Sequence, residues 1–318
     1  MIRLSDSDED LARAVELLER GELVALPTET VYGLAANAAN PEAVRRIFTA
    51  KGRPADHPLI VHLPGIEVLD DWALDIPESA RKLAETFWPG PLTLILQKAD
   101  SVADIITGGQ DTVGLRVPGH PVALRLLQRF GKGIAAPSAN RFGHISPTSA
   151  EHVIGEFEHE DTVAAVINGG PCEVGVESTI VDCTGPVPRI LRPGMIDIEQ
   201  LTDVLGSAPE MAGEQEGPRA SGRLASHYAP NTGLELVDAE TLARPDANAV
   251  VLALVSTPDP GGFMAWKSLP GDPVSYARGL YAALRELDEL GAERILVQQP
   301  PRTALWAAVR DRLERASS

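Results

Sequence analysis

The sequence predicts an α/β protein: a layered structure with one large sheet, joined by a linker to a small parallel α/β unit. Three observations carry that expectation. Apolar runs of strand length alternate irregularly with amphipathic stretches of helical length from Asp8 to Asp182. The segment Gly206–Gly233 ("GSAPEMAGEQEGPRASGRLASHYAPNTG") is rich in Gly, Ala, Ser and Pro and has no periodicity, which reads as a linker. Beyond it a regular strand–helix–strand–helix pattern begins, the signature of a small parallel sheet.

The elements follow in chain order. Leu11, Val15 and Leu18 recur at helical spacing between Asp8 and Arg20, and Gly21 supplies a C-cap. Leu23 to Leu26 is an apolar strand stopped by Pro27, and Pro41 to Ala50 a second helix. Leu59, Ile60 and Val61 form a buried strand. Further strands are expected at Leu92–Gln97, Val113–Val117, Ile134–Ala136, Val163–Ile167 and Ser178–Asp182, with helices at Ser79–Phe87, Pro121–Phe130 and Ser149–Phe157 among them. After the linker come strand Val250–Ser256, helix Val274–Leu290, strand Arg294–Gln298 and helix Thr303–Arg315. The expected domains are 1–206, a linker at 207–232, and 233–318.

Composition bounds the function. The chain has 318 residues, 44% hydrophobic and 23% charged, enough for a sizeable core. Asp and Glu number 45 against 28 Lys and Arg, a formal net charge of -17, which argues against a surface that grips nucleic acid through its phosphates. Strong tRNA binding is not expected. Cys172 and Cys183 form no C-x-x-C pair and lack His neighbours, so they read as free thiols rather than zinc ligands. The acidic start "MIRLSDSDED" lacks an apolar signal region, and runs such as "VVLALV" from Val250 are too short to span a bilayer. The expectation is a soluble cytoplasmic protein with no membrane association and no protein-held metal.

Against that acidity, "KGRPADHPLI" gathers Lys51, Arg53 and His57 in a loop bounded by Pro54 and Pro58. Alone, the string fits a solvated turn as well as an anion cradle. In "TVGLRVPG", Arg116 points away from the apolar face with only Gly114 beside it, which suits either a surface cation or a ligand's anion. "GIAAPSANRFG" offers Ser138 and Asn140 among small residues, "GVESTIVDCTG" offers Ser178 and Thr179, and "ILRPGMI" offers Arg192. Each fits turn chemistry too. His227 and Tyr228, in "SHYAP", either anchor the linker or reach a site. No P-loop, dinucleotide fingerprint, nucleophile elbow or H-E-x-x-H motif occurs. Lys, Arg, Ser, Thr and Asn without a carboxylate dyad suggest an anionic, phosphate-bearing substrate.

In this order, "PTETVYGLAANA", "KGRPADHPLIVHL", "FWPGPLTLIL", "VGLRVPGHP", "APSANRFGHISPT", "GVESTIVDCTG" and "ILRPGMI" closely resemble the Sua5/YrdC family, the L-threonylcarbamoyladenylate synthases. The resemblance runs from about residue 8 to residue 200, and the linker and last unit resemble the longer Sua5 form. It implies a YrdC-like twisted mixed sheet with flanking helices plus a small Rossmann-like parallel α/β C-terminal domain. It also implies a nucleotidyltransferase that converts L-threonine, bicarbonate and ATP, with Mg2+ on the ATP, to L-threonylcarbamoyl-AMP and pyrophosphate. That product serves a downstream tRNA threonylcarbamoyl transferase complex making N6-threonylcarbamoyladenosine at tRNA position 37.

By the same resemblance, Thr30, Tyr32, His62, Arg116, Ser138 and Ser178 would hold threonine. Lys51, Arg53, His57, Thr112, Ser138, Asn140, Thr148, Arg192, His227 and Tyr228 would hold ATP, with Lys51, Arg53 and Ser178 nearest the chemistry. The linker would act as a lid. It departs from the family, whose linkers often read S-P-G-M where this chain has "SGRLASHYAP". Two rivals remain at this stage: a related carbamoyltransferase domain, against which the low cysteine count weighs, and a non-catalytic RNA-binding module, against which the acidity weighs.

Overall fold

The structure is a computed structural model that describes residues 1–213, 216–224 and 227–318; Glu214, Gln215, Ala225 and Ser226 of the expected lid lie outside the described residues. Local chemistry sets the first helix, Asp8–Glu19. The Ser7 hydroxyl accepts from the Asp10 amide, three acidic residues occupy the first turn, and Leu11, Ala14, Leu17 and Leu18 are buried. Val15, expected on the apolar stripe, is only half-buried at its edge. Pro41–Lys51 is capped by the Asn40 side chain and packs Val44, Ile47 and Phe48 into the core.

The large sheet is mixed. Its strands lie side by side in the order Ile2–Leu4, Ala165–Ile167, Val24–Leu26, Gly33–Asn37, Ile134–Ala135, Ile60–His62, Thr112–Arg116, Leu92–Lys98, Thr179–Asp182, Arg189–Arg192 and Glu210–Met211. Several strands were not expected from sequence, Ile2–Leu4, Ala73–Leu74 and Arg189–Arg192 among them. Gly33–Asn37 is a wholly buried strand although Gly, Ala and Asn are poor strand formers, because paired strands flank it on both sides. Glu210–Met211, inside the expected linker, adds a short edge strand parallel to Arg189–Arg192.

Register brings the polar residues together. Ile60–His62 runs parallel to Thr112–Arg116 with His62 opposite Arg116, and antiparallel to Ile134–Ala135. A single bridge pairs Gly33 with Ser138, so the turn after Ile134–Ala135 returns over the strand ends. Ser178 immediately precedes Thr179, which pairs with Leu92.

The last unit is a four-stranded, all-parallel sheet in the order Leu234–Val237, Arg294–Gln298, Ala249–Leu254 and Ala265–Leu269, with helices Pro273–Asp288 and Ala307–Ala316. Leu234–Val237 and Ala265–Leu269 escaped the sequence reading because they are short edge strands with mixed burial. The two units share a core: Val31, Ile145 and Val176 cluster with Tyr228, Ala277, Leu280 and Tyr281.

Gly175 sits at that seam. It has a φ of +81°, and a Cβ there would lie 2.5 Å from the Ala277 carbonyl oxygen and the Arg278 Cα. Gly175→Ala should therefore destabilise the protein by roughly 2 kcal/mol or more, since it strains its own backbone and pushes on a helix. Thermal or denaturant unfolding checks this, and an unchanged midpoint would mean the seam yields.

Candidate functional site

Strand ends and two loops converge on one buried cavity of about 50 Å³, lined by Thr30, Arg53, His62, Arg116, Ser138, Glu177, Ser178, Arg192, Ser221, His227 and Tyr228 among others. Nine of these were expected from sequence; Glu177 and Ser221 were not.

The cations define the cavity's chemistry. Lys51, the last residue of its helix, is 3% exposed and donates from Nζ to the carbonyl oxygens of Ser138 (2.6 Å) and Asn140 (2.5 Å). Burial, and then neighbouring Arg53, push its pKa well below the usual lysine range. Arg53 donates to the Pro58 carbonyl (3.0 Å) and the Ser221 hydroxyl (3.2 Å), and its guanidinium lies 5.5 Å from the centre of the Phe142 ring. Arg192 donates from Nε and Nη2 to the Ser178 carbonyl (3.1 and 2.9 Å), from Nη2 to the Ser178 hydroxyl (3.1 Å) and from Nη1 to the Ser221 carbonyl (2.9 Å). Among the described residues, no carboxylate forms an ion pair with any of these three.

Arg116 differs. Its Nη2 lies 2.6 Å from Glu29 Oε1, its Nε donates to the Gly90 carbonyl and its Nη1 to the Thr30 hydroxyl at 2.9 Å. Glu29 and Arg116 thus form a buried ion pair, and Thr30, which accepts from Nη1, lines the cavity with Arg116. Thr28 and Thr30 hydroxyls are 2.9 Å apart, and Ser178 Oγ is 2.7 Å from Thr93 Oγ1. His62 is kept neutral: burial first, then Arg116, lowers its pKa to about 3.

Other expected residues stand outside the lining. Tyr32 is wholly buried beneath, donating to the Gly170 carbonyl (2.8 Å) and accepting from the Gly169 amide. Asn140 spends its amide on the carbonyls of Arg141 and His144 and so shapes the loop. Thr148 receives the Cys172 amide on its carbonyl and packs by His152. His57 belongs to an outer cleft with Arg219 and Leu224, and Thr112 to a shallow one with Gly114 and Ala220. Both thiols are free and buried.

The linker crosses the cavity. Gly222 has a φ of +80° and passes so near that a Cβ would meet Tyr228 Oη at 2.0 Å. His227 packs edge-on against Phe142 and Tyr228, and burial lowers its pKa to about 3. Two carboxylates escaped the sequence reading. Glu29 and Glu177 sit inside quoted motifs, but their partners are distant in sequence; Glu177 pairs with Arg312 of the last helix at 2.6 Å. Among the described residues, no group of three or more His, Cys, Asp or Glu side chains could hold a metal, and no helix is long and apolar enough to cross a membrane.

Fold and site together define a two-unit α/β protein with a small, cation-lined cavity between strand ends and a crossing strap. The family model described as "Telomere recombination", that of Sua5, YciO and YrdC, matches residues 16–194, and the model described as "Threonylcarbamoyl-AMP synthase, C-terminal domain" matches residues 196–318. The chain belongs to the Sua5/YrdC family. It is 41% identical over 317 residues to the threonylcarbamoyl-AMP synthase of Pyrococcus abyssi, covering 96% of this chain and 93% of that one. The Bacillus subtilis protein of the same name is 39% identical, covering 99% and 94%. A crystal structure of P. abyssi Sua5 complexed with L-threonine superposes with a TM-score of 0.90 at 38% identity, over 99% of this chain and 97% of that one.

The buried histidines give a pH signature. His62 and His227 titrate at about 3 and His152 at about 4 in the fold, against about 6.5 unfolded. The unfolded chain therefore binds more protons between those values, and stability is full above about pH 6.5 and falls as the pH drops. His62 and His227, both almost fully buried, should each contribute a slope of about 1.4 kcal/mol per pH unit between roughly pH 6 and 4, and the more exposed His152 less. Denaturant unfolding of wild type and His62→Gln checks this: the variant should lose one histidine's share of the slope, and parallel curves would refute it.

Proposed function

We propose that the chain joins L-threonine, bicarbonate and ATP into L-threonylcarbamoyl-AMP, releasing pyrophosphate and water. The observation that carries the reading is a cavity lined by buried Arg53 and Arg192, with buried Lys51 behind the Ser138–Asn140 turn, all three with only carbonyl and hydroxyl hydrogen-bond partners among the described residues. Buried cations without counter-charges favour an anionic ligand. The shared family, the names of the full-length relatives and the L-threonine held by the P. abyssi structure support the identity of the substrates.

Each residue's part follows from its geometry. Arg116, aligned by Glu29 and beside Thr30 and His62, takes the threonine carboxylate, a bidentate partner for a guanidinium. Arg53 and Arg192 take phosphate oxygens, and Ser178 and Ser138 supply hydroxyl and backbone groups between the two substrates. Lys51 holds the Ser138–Asn140 turn and adds positive potential from beneath. Tyr32, Asn140 and Thr148 support the walls, and His57 and Thr112 lie at the periphery, where an ATP base or phosphate tail would extend. Mg2+ enters as part of the nucleotide, held by its phosphate oxygens.

The amine of threonine captures CO2 or bicarbonate. A carbamate oxygen then attacks the α-phosphorus, the bond to the bridging oxygen breaks, and pyrophosphate leaves with the electron pair. Both carboxylates near the site are tied to arginines, so the chemistry relies on positioning and charge rather than a general base. A cavity of about 50 Å³ is far below the roughly 300 Å³ or more of a small-molecule site. The strap of Ser221, Gly222, His227 and Tyr228 therefore swings out to admit ATP and closes again, shielding the hydrolysable carbamate from water. The product passes to a tRNA threonylcarbamoyl transferase complex, and we place both in the cytoplasm.

The test is product formation with ATP and Mg2+, followed by mass spectrometry and pyrophosphate release while L-threonine and bicarbonate are omitted in turn. Both should be required. Adduct formation from carbamoyl phosphate alone would overturn the reaction. Arg192→Ala should lower kcat/KM for ATP by about a hundredfold, as expected for a lost charge-assisted contact (about 2–3 kcal/mol). An unchanged kcat/KM for ATP in that variant would refute a substrate contact by Arg192.

A further inference from the structure

The cavity has one carboxylate among its lining residues, and the second unit neutralises it. Glu177 is 6% exposed and lines the cavity next to Ser178. Its Oε1 accepts from Ser146 (2.6 Å), its Oε2 from the Tyr281 hydroxyl (3.0 Å), and Oε2 also takes the Nε–H of Arg312 at 2.6 Å. Ser146 belongs to the first unit; Tyr281 and Arg312 come from helices Pro273–Asp288 and Ala307–Ala316 of the second.

Arg312 has no exposed side-chain surface. Besides Glu177 it pairs with Asp311, donates to the Pro193 carbonyl at 3.1 Å and holds its guanidinium 5.2 Å from the Tyr228 ring centre. Asp311 in turn pairs with Arg315 at 3.0 Å. Glu177, Asp311, Arg312 and Arg315 thus sum to zero charge. A negative charge left beside Ser178 and Arg192 would oppose both anionic substrates. Burial favours the neutral acid, but the nearby arginines, Arg312 foremost, outweigh it and keep Glu177 ionised.

We propose that Arg312 is a positioning residue of the synthase site: from the second unit it cancels and orients the Glu177 carboxylate, so that the cavity keeps the positive potential that ATP requires. This deepens the reading above and rests on ATP being the substrate. The last unit then does more than cover the site, because one charge of the cavity wall is balanced from within it.

The experiment compares wild type, Arg312→Gln, Arg312→Lys and Glu177→Gln/Arg312→Gln in the full-length chain, by KM and kcat for ATP and by direct calorimetric ATP binding. With one uncompensated charge in the cavity wall, Arg312→Gln should weaken ATP binding and raise its KM roughly tenfold or more, with a smaller change in kcat. Arg312→Lys should restore most of the affinity. The double variant, which removes both charges and leaves an amide pair, should bring ATP affinity back to within a few fold of wild type.

Unchanged ATP binding in folded Arg312→Gln overturns the proposal, as does a double variant as weak as the single one. If the single variants fail to fold, the double variant, which leaves neither Glu177 nor Arg312 as an unpaired buried ion, decides; its failure to fold too would make the pair purely structural and end the proposal. Wild type that binds no ATP and makes no threonylcarbamoyl-AMP would instead defeat the synthase reading itself, so the two failures are distinct.

Discussion

The burial of Lys51, Arg53 and Arg192 with carbonyl oxygens in place of carboxylates is the constraint on which the rest of the site depends. A buried cation must be met by polar groups, or the fold bears a desolvation cost of several kcal/mol. Here the groups come from turns at strand ends: the carbonyls of Ser138 and Asn140 for Lys51, of Pro58 for Arg53, of Ser178 for Arg192. Such carbonyls are available because they lie just outside the strands: Ser138 and Asn140 after Ile134–Ala135, Pro58 before Ile60–His62 and Ser178 before Thr179–Asp182. The cations hold the turns, and the turns hold the hydroxyls that line the cavity. Dipoles solvate a cation only partly, so the site retains a positive potential that a triphosphate and a carboxylate can complete.

That interior contrasts with the exterior. With 45 acidic residues against 28 basic ones, the surface repels polyanions, yet the cavity attracts small ones. The two designs coexist because each acidic group near the site is answered at once: Glu29 by Arg116, Glu177 by Arg312. The acidic surface also fits a protein that would make a nucleotide adduct without gripping the nucleic acid it is destined for.

Much of this was legible in the sequence, for a local reason. Strands such as Leu92–Lys98 and Arg294–Gln298 announce themselves by apolar runs ending in polar or turn-forming residues, and Pro121–Phe130 by its proline start and periodic leucines. Arg116 could be singled out because a glycine two residues earlier leaves its face open. What was hidden depends on tertiary neighbours. Gly33–Asn37 is a strand only because Val24–Leu26 and Ile134–Ala135 flank it. Glu177 and Arg312 are 135 residues apart, and neither has a local pattern that names the other. Motif membership does not itself give the lining: Tyr32, Asn140 and Thr148 stand in the same strings as lining residues, but the Tyr32 and Asn140 side chains bond to backbone carbonyls and the Thr148 hydroxyl lies by His152. Alternation and turns tell which residues are polar and near an end, and only packing tells which side of the wall they serve.

The strap meets the same constraint. In the closed form it meets the cations with neutral groups: the Ser221 hydroxyl and carbonyl for Arg53 and Arg192, and the flank of Tyr228. The Tyr228 hydroxyl is buried without a partner among the described residues, and its backbone sits at a φ of +63°. Both features cost free energy. Hydrogen bonds from a guanidinium to phosphate or carboxylate are roughly twice as strong as those to neutral oxygens. An anion that displaced the strap's oxygens would therefore do so at a gain, and Tyr228, once released, would find a partner in water or ligand. The strap thus meets Arg53 and Arg192 with dipoles where an anionic ligand would meet them with charge.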